Sequence, residues 1–193
     1  MPKFKEIASN ADILAVYNHF ATTAIALFNA EGRVAPQMFA VVLEEGGVGK
    51  IHSVGIIPPE EMHALMRNSA SKEGVRPLLD LLLSENSPMR RSLKAKGEPA
   101  PCIVVQITEA WIGEGPPVAG EERLAPSKRS DRKEIVSVCM HTQTATHMGM
   151  SYISDAPMRH CVLGALRFSE AYELMGRMTR TPLPSEDSTI TKH

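Results

Sequence analysis

Apolar positions along the chain fall into two periodicities. From residue 6 to 30 they recur at helical spacing: Ile7, Ile13, Leu14, Val16, Tyr17, Phe20, Ala21, Ala24, Ile25, Leu27 and Phe28 fill about half the circumference at 100° per residue. Asp12, Asn18, His19, Thr22 and Asn29 take the other half, and Gly32 supplies a stop. An arc that wide predicts a long core helix. From residue 38 the period shortens to two. Residues 38–44 and 50–57 read as a hairpin whose link, EEGGVGK, carries glycines for a tight reversal. Phe39, Val41 and Leu43 line one face of its first strand, and Met38, Ala40 and Val42 the other, so neither face is plainly wet.

Pro58 and Pro59 end the second strand and open a helical run whose apolar face is Met62, Leu65 and Met66. Gly74 and Pro77 break it. A second piece starts near Val75 and carries Leu78, Leu79, Leu81, Leu82 and Leu83, and a third, MRRSLKAK, stops at Gly97. Residues 102–112 form the clearest strand, with Ile103, Val105, Ile107 and Trp111 on one face. Residues 113–131 are rich in Gly and Pro and read as a long loop, the best place for an arm or lid. Three more strands follow at 134–141, 146–153 and 160–167, then a short helix at 169–178 and, from Thr181, a polar tail.

These elements predict an α+β chain: one domain over 1–180, a C-terminal tail over 181–193, and a mainly antiparallel five-stranded sheet in the order helix-β-β-helix-β-β-β-helix, an order that counts five of the six strand-like runs. In element order this resembles the profilin-like and Roadblock/longin-like small domains. The resemblance covers most of residues 6–178 but carries no residue motif and no catalytic residue. It implies a binding or dimerisation module only by analogy of fold. Because several strands are apolar on both faces, one sheet face needs a cover beyond the helices. A second copy of the chain provides that cover without further sequence, so a homodimer is expected.

Composition narrows the function classes. The chain has 193 residues, with 21 Lys plus Arg against 22 Asp plus Glu and 43% hydrophobic residues. That balance argues against binding driven by phosphate neutralisation, and the two basic clusters, Arg90–Lys96 and Lys128–Lys133, lack interleaved aromatics. Nucleic acid is therefore not an expected partner. The three cysteines, Cys102, Cys139 and Cys161, sit in apolar runs, which fits free thiols in a reducing cytoplasmic compartment. No uninterrupted apolar run reaches membrane-spanning length, and no membrane association is expected.

Candidate chemistry is sparse. Period-two alternation puts Cys139 and His141 on one strand face, and a bend over 141–147 would bring His147 across from His141. Two imidazoles and a thiolate suit zinc, with a fourth position for water. The C-x-H-x₅-H spacing matches no standard metal signature, and the competing reading is a hairpin with two polar histidines and one buried thiol. Glu109 interrupts an apolar strand face. Buried without a partner, its pKa would rise and it could serve as a general acid or base. The alternative is a strand that leaves the sheet near Thr108, with Glu109 wet or paired to Arg132. No G-x-S-x-G elbow occurs, and Glu45–Lys50 lacks phosphate-loop spacing. The expected function is a non-enzymatic domain that self-associates or binds a macromolecule. The alternative is a metal-assisted hydrolase using Cys139, His141, His147 and Glu109.

Overall fold

A computed structural model describes residues 3–46, 50–57, 76–113, 119–120, 128–154 and 158–167. Helix α1 spans Asn10–Glu31. It begins where Ser9 accepts the backbone N–H of Asp12 while the Asp12 carboxylate accepts from the Ser9 backbone, a reciprocal capping box. Lys5 adds a 2.6 Å ion pair to the same carboxylate. Gly32, at φ 72°, ends the helix as expected. The helix therefore starts at residue 10 and not at 6. Residues 3–5 instead run beside the end of the hairpin, where the Lys5 N–H bonds to the Leu43 carbonyl.

Strands β1 (Gln37–Leu43) and β2 (Ile51–Ile57) form the predicted antiparallel hairpin. Helices α2 (Arg76–Leu83) and α3 (Pro88–Lys96) follow, the latter capped by Ser87 and stopped at Gly97. Strands β3 (Ile103–Gly113), β4 (Arg132–His141) and β5 (Thr146–Ser154) make an antiparallel meander. The run at 160–167 is two short strands, β6 (His160–Cys161) and β7 (Leu166–Arg167), both paired with β5. The sheet thus has seven strands, not five, in the order β2-β1-β3-β4-β5-β6, with β7 also on β5. The helical run expected from Pro59, most of the 113–131 loop, the 169–178 helix and the tail lie outside the described residues.

The two sheet faces are covered differently. On one face Ile13, Val16, Tyr17, Phe20, Ala24 and Phe28 of α1 pack on Val41, Ile103, Val105, Ile107, Val136, Val138 and Met140. On the other, Leu79, Leu82 and Leu83 of α2 pack on Met38 and Val104. The second face of the β1–β3 region is therefore covered from within the chain. α1 is long and apolar enough, by length and composition alone, to cross a bilayer, but here its apolar stripe is buried against the sheet.

Polar ties fasten the 158–167 segment to α1. The Tyr17 hydroxyl donates to the Gly164 carbonyl at 2.6 Å. The Asn29 amide donates to the Cys161 carbonyl at 3.1 Å and accepts from the Cys161 N–H at 2.7 Å, so one side chain mimics a strand partner. The Arg159 guanidinium bonds to the Gly32 carbonyl, pairs with Glu134 and lies 5.2 Å from the Phe28 ring centroid.

Candidate functional site

The turn Thr142–Ala145 decides where the histidines go. The Thr142 N–H donates to the Ala145 carbonyl at 2.8 Å, and the Thr142 hydroxyl oxygen accepts the Ala145 N–H at 3.1 Å. This closure sets His141 opposite Thr146 and Met140 opposite His147. Successive strand residues point to opposite faces, so His147 lies on the α1 face and His141 on the other. Cys139 does share the His141 face, as its spacing predicts. The three candidate ligands are split two and one across the sheet. Among the described residues, no group of three His, Cys, Asp or Glu side chains is placed to hold a metal ion.

What surrounds His141 instead is a buried polar cluster. Its face carries Gln106 on β3, Ser137, Cys139 and His141 on β4, and Thr146 on β5, all buried. His141 Nε2 lies 3.3 Å from Gln106 Oε1, and its Nδ1 lies 2.9 Å from the Thr146 hydroxyl. An amide oxygen only accepts, so Nε2 carries the proton and Nδ1 accepts from Thr146. The ring is only 1% exposed. Burial, reinforced by repulsion from His147, lowers its pKa to about 4 and holds the imidazole neutral. The Cys139 thiol sits 3.5 Å from the Ser137 hydroxyl, and burial raises its pKa. A neutral thiol and a neutral, doubly bonded imidazole are satisfied groups. Sequence reasoning singled out His141 and Cys139 but missed Gln106 and Thr146. The signal was there: polar residues at period two on strands whose other residues are apolar.

Glu109 is half-buried on the α1 face of β3, opposite Val136. Its carboxylate accepts the Val34 backbone N–H, tying the α1–β1 connection to the sheet. β3 does lose burial from Thr108 outward. Arg132 does not reach Glu109: it lies over the Trp111 ring, 5.2 Å from the centroid.

Two hollows remain. A cleft of ≈ 620 Å³ between the N-terminal segment and α3 is lined by Lys3, Lys5, Arg91 and Lys94 against Glu6, Glu45, Glu85 and Glu98, so it has no single sign. Arg90, from the first basic cluster, is buried and donates to the Pro101 carbonyl, which makes it a structural residue. A smaller pocket of ≈ 320 Å³ lies between the start of α1, Cys102 and the 142–145 turn, with His147 in its wall. Burial lowers the His147 pKa and raises that of Cys102 to about 11. The chain matches no protein-family model, no curated protein and no solved structure.

Proposed function

We propose that this chain is a non-enzymatic domain that pairs with a second copy of itself along the β2 edge. The observation carrying the reading is the edge strand. β2 ends the sheet, and among the described residues nothing pairs with its outer side. His52, Ser53, Val54 and Gly55 are all exposed, Val54 at 70%. Natural edge strands are guarded by charges, prolines or bulges; IHSVGII has neither a Lys, Arg, Asp or Glu nor a Pro, and its register shift against β1 lies between Gly55 and Ile57, past Val54. Val54 is the middle residue of Ile51–Ile57. A two-fold axis there would lay β2 antiparallel to its copy, with Val54 against Val54.

The sheet faces give no comparable reason to associate, since α1 and α2 cover the apolar parts of both in the β1–β3 region. The non-enzymatic half of the reading is supported by the candidate groups, because Glu109, Cys139 and His141 each have internal partners. The three free, buried cysteines support a reducing, cytoplasmic setting. Element order supports a profilin-like or Roadblock-like layout: α1, the β1–β2 hairpin, the α2–α3 segment, then the β3–β5 meander.

Sedimentation equilibrium tests the pairing. The native chain is expected at twice its 21.1 kDa mass, and Val54→Lys, which places a charge at the proposed axis, is expected at 21.1 kDa. A native chain that stays at 21.1 kDa across the micromolar range refutes the reading, as does a dimer unaffected by Val54→Lys.

A further inference from the structure

We infer that protonation of His52 turns the β2 edge from a pairing surface into a guarded one, so that the two-fold dimer forms near neutral pH and parts in acid. This rests on the pairing proposed above. His52 is the one ionisable side chain in IHSVGII, the sequence of β2. It lies two positions from Val54 and therefore on the same face of the strand. With Val54 against Val54 at the axis, His52 of each copy becomes the diagonal neighbour of Val54 in the other, about 7–8 Å away between Cα atoms.

A cluster at the hairpin end holds the ring. His52 Nε2 lies 2.7 Å from Glu44 Oε1, and Lys50 Nζ lies 3.2 Å from Glu44 Oε2. A carboxylate only accepts, so Nε2 carries the proton of the neutral ring and an added proton goes to Nδ1. Glu44 already faces Lys50. With His52 neutral the three groups carry no net charge, and with His52 protonated they carry one net positive charge. Among the described residues, Glu44 from the end of β1 and Lys50 from the hairpin link are the charged groups that face the ring. The N-terminal segment presents the Phe4 ring, 6.2 Å away between centroids, and β1 presents Val42 opposite His52. Lys3 and Lys5 flank Phe4 but line the cleft beside α3, with Lys5 paired to Asp12.

Exposure decides the sign. The His52 side chain is 57% exposed in the single chain, so water solvates a protonated Nδ1 there. Pairing sets an apolar side chain beside the ring and removes part of that water. Desolvation penalises the charged ring and not the neutral one, while the contact with Glu44 is present in both states and cancels. The single chain therefore binds more protons than the pair in the range where imidazoles titrate, and the pair loses ground as pH falls. A protonated His52 then does for this edge what a Lys does for guarded ones. Each dimer holds two such rings, so an effect of about threefold at each multiplies to about tenfold in Kd.

Sedimentation equilibrium of the full chain at about pH 8 and about pH 5.5, at one ionic strength, tests the switch, with circular dichroism confirming the fold at each pH. The native dimer is expected to show a Kd at least about tenfold higher at the lower pH. His52→Gln, uncharged throughout, is expected to change by less than about threefold between the two, which separates this ring from every other group that titrates. His52→Lys, charged throughout, is expected to be as weak at about pH 8 as the native chain is in acid. A native chain that is monomeric at about pH 8 refutes the pairing itself. A native dimer equally tight at both pH values, an equal acid response in His52→Gln, or a tight His52→Lys dimer overturns the switch alone.

Discussion

Protonation of His141 should make this fold acid-sensitive over a defined window. The ring is 1% exposed, and its pKa is lowered to about 4 from the ordinary 6.5, first by burial and then by repulsion from His147. In the unfolded chain the imidazole takes a proton near pH 6.5, whereas in the folded chain it does not until about pH 4. Between those values the unfolded state binds more protons, so stability rises with pH there and falls as the solution is acidified. Above 6.5 the contribution is complete, and below about 4 both states are protonated and the loss levels off. At roughly 1.4 kcal/mol per pKa unit the whole interval is worth about 3 kcal/mol, and about 2 kcal/mol separates pH 7 from about pH 4.5. The cost comes from desolvating the charge. The Thr146 hydroxyl can turn to accept from a protonated Nδ1, so that hydrogen bond survives. The assay is urea unfolding followed by circular dichroism. With a slope of about 2 kcal/mol/M, the midpoint should fall by about 1 M between the two pH values. His141→Gln removes the titrating group while keeping a polar side chain, and its midpoint should fall much less, with the lowered His147, Glu44 and Asp12 still contributing in the same direction. If that variant does not fold, NMR titration of the native imidazole decides the matter: its Cε1 shift should stay flat down to about pH 5. The reasoning is refuted by a native midpoint that is the same at both pH values, by an equal fall in His141→Gln, or by an imidazole that titrates near 6.5.

Two packing predictions accompany it. A Cβ on Gly149 would sit 2.0 Å from the Tyr17 ring, so Gly149→Ala should destabilise by about 1–3 kcal/mol, and Tyr17→Leu in the same chain should recover part of that; chemical denaturation of the single and double variants measures both. Leu82→Ala, which opens the α2 contact over Met38 and Val104, should cost about 2–5 kcal/mol in the same assay, and a change under about 0.5 kcal/mol would show that α2 does not seal the second face.

Much of the fold was legible because local rules and burial agree in this chain. The α1 arc, its Gly32 stop, the hairpin, the Gly97 stop and the three long strands each announce themselves by period and by turn residue. The sheet count was not legible: the expected order takes five of the six strand-like runs, and 160–167 reads as one strand where the fold makes two. In the fold Val162 and Leu163 point outward, and residues 162–165 interrupt the ladder between two short pairings. The cover of the second face was misjudged for a related reason: leucines on α2 say that a face is buried, not which one. A single register parts the three candidate ligands. Residues Thr142–Ala145 close a tighter turn than a bend over 141–147, and that shift sends His147 through the sheet. Glu109 shows the same limit from the other side. Its partner is a backbone N–H at Val34, and no side-chain pattern marks a backbone donor 75 residues away.

The ties between α1 and the 158–167 segment bear on how the chain is made. Tyr17 and Gly164 are separated by 147 positions, and Asn29 and Cys161 by 132. During synthesis α1 leaves the ribosome first, with an apolar stripe whose receiving strands β3 and β4 do not yet exist, and its last polar contacts wait until residue 164 has been translated. At about 5–20 residues per second that interval lasts on the order of ten seconds, long against helix formation and collapse. For that time the nascent chain displays a helix that is apolar enough to interest a bilayer or a chaperone, and only the arrival of the meander withdraws the invitation.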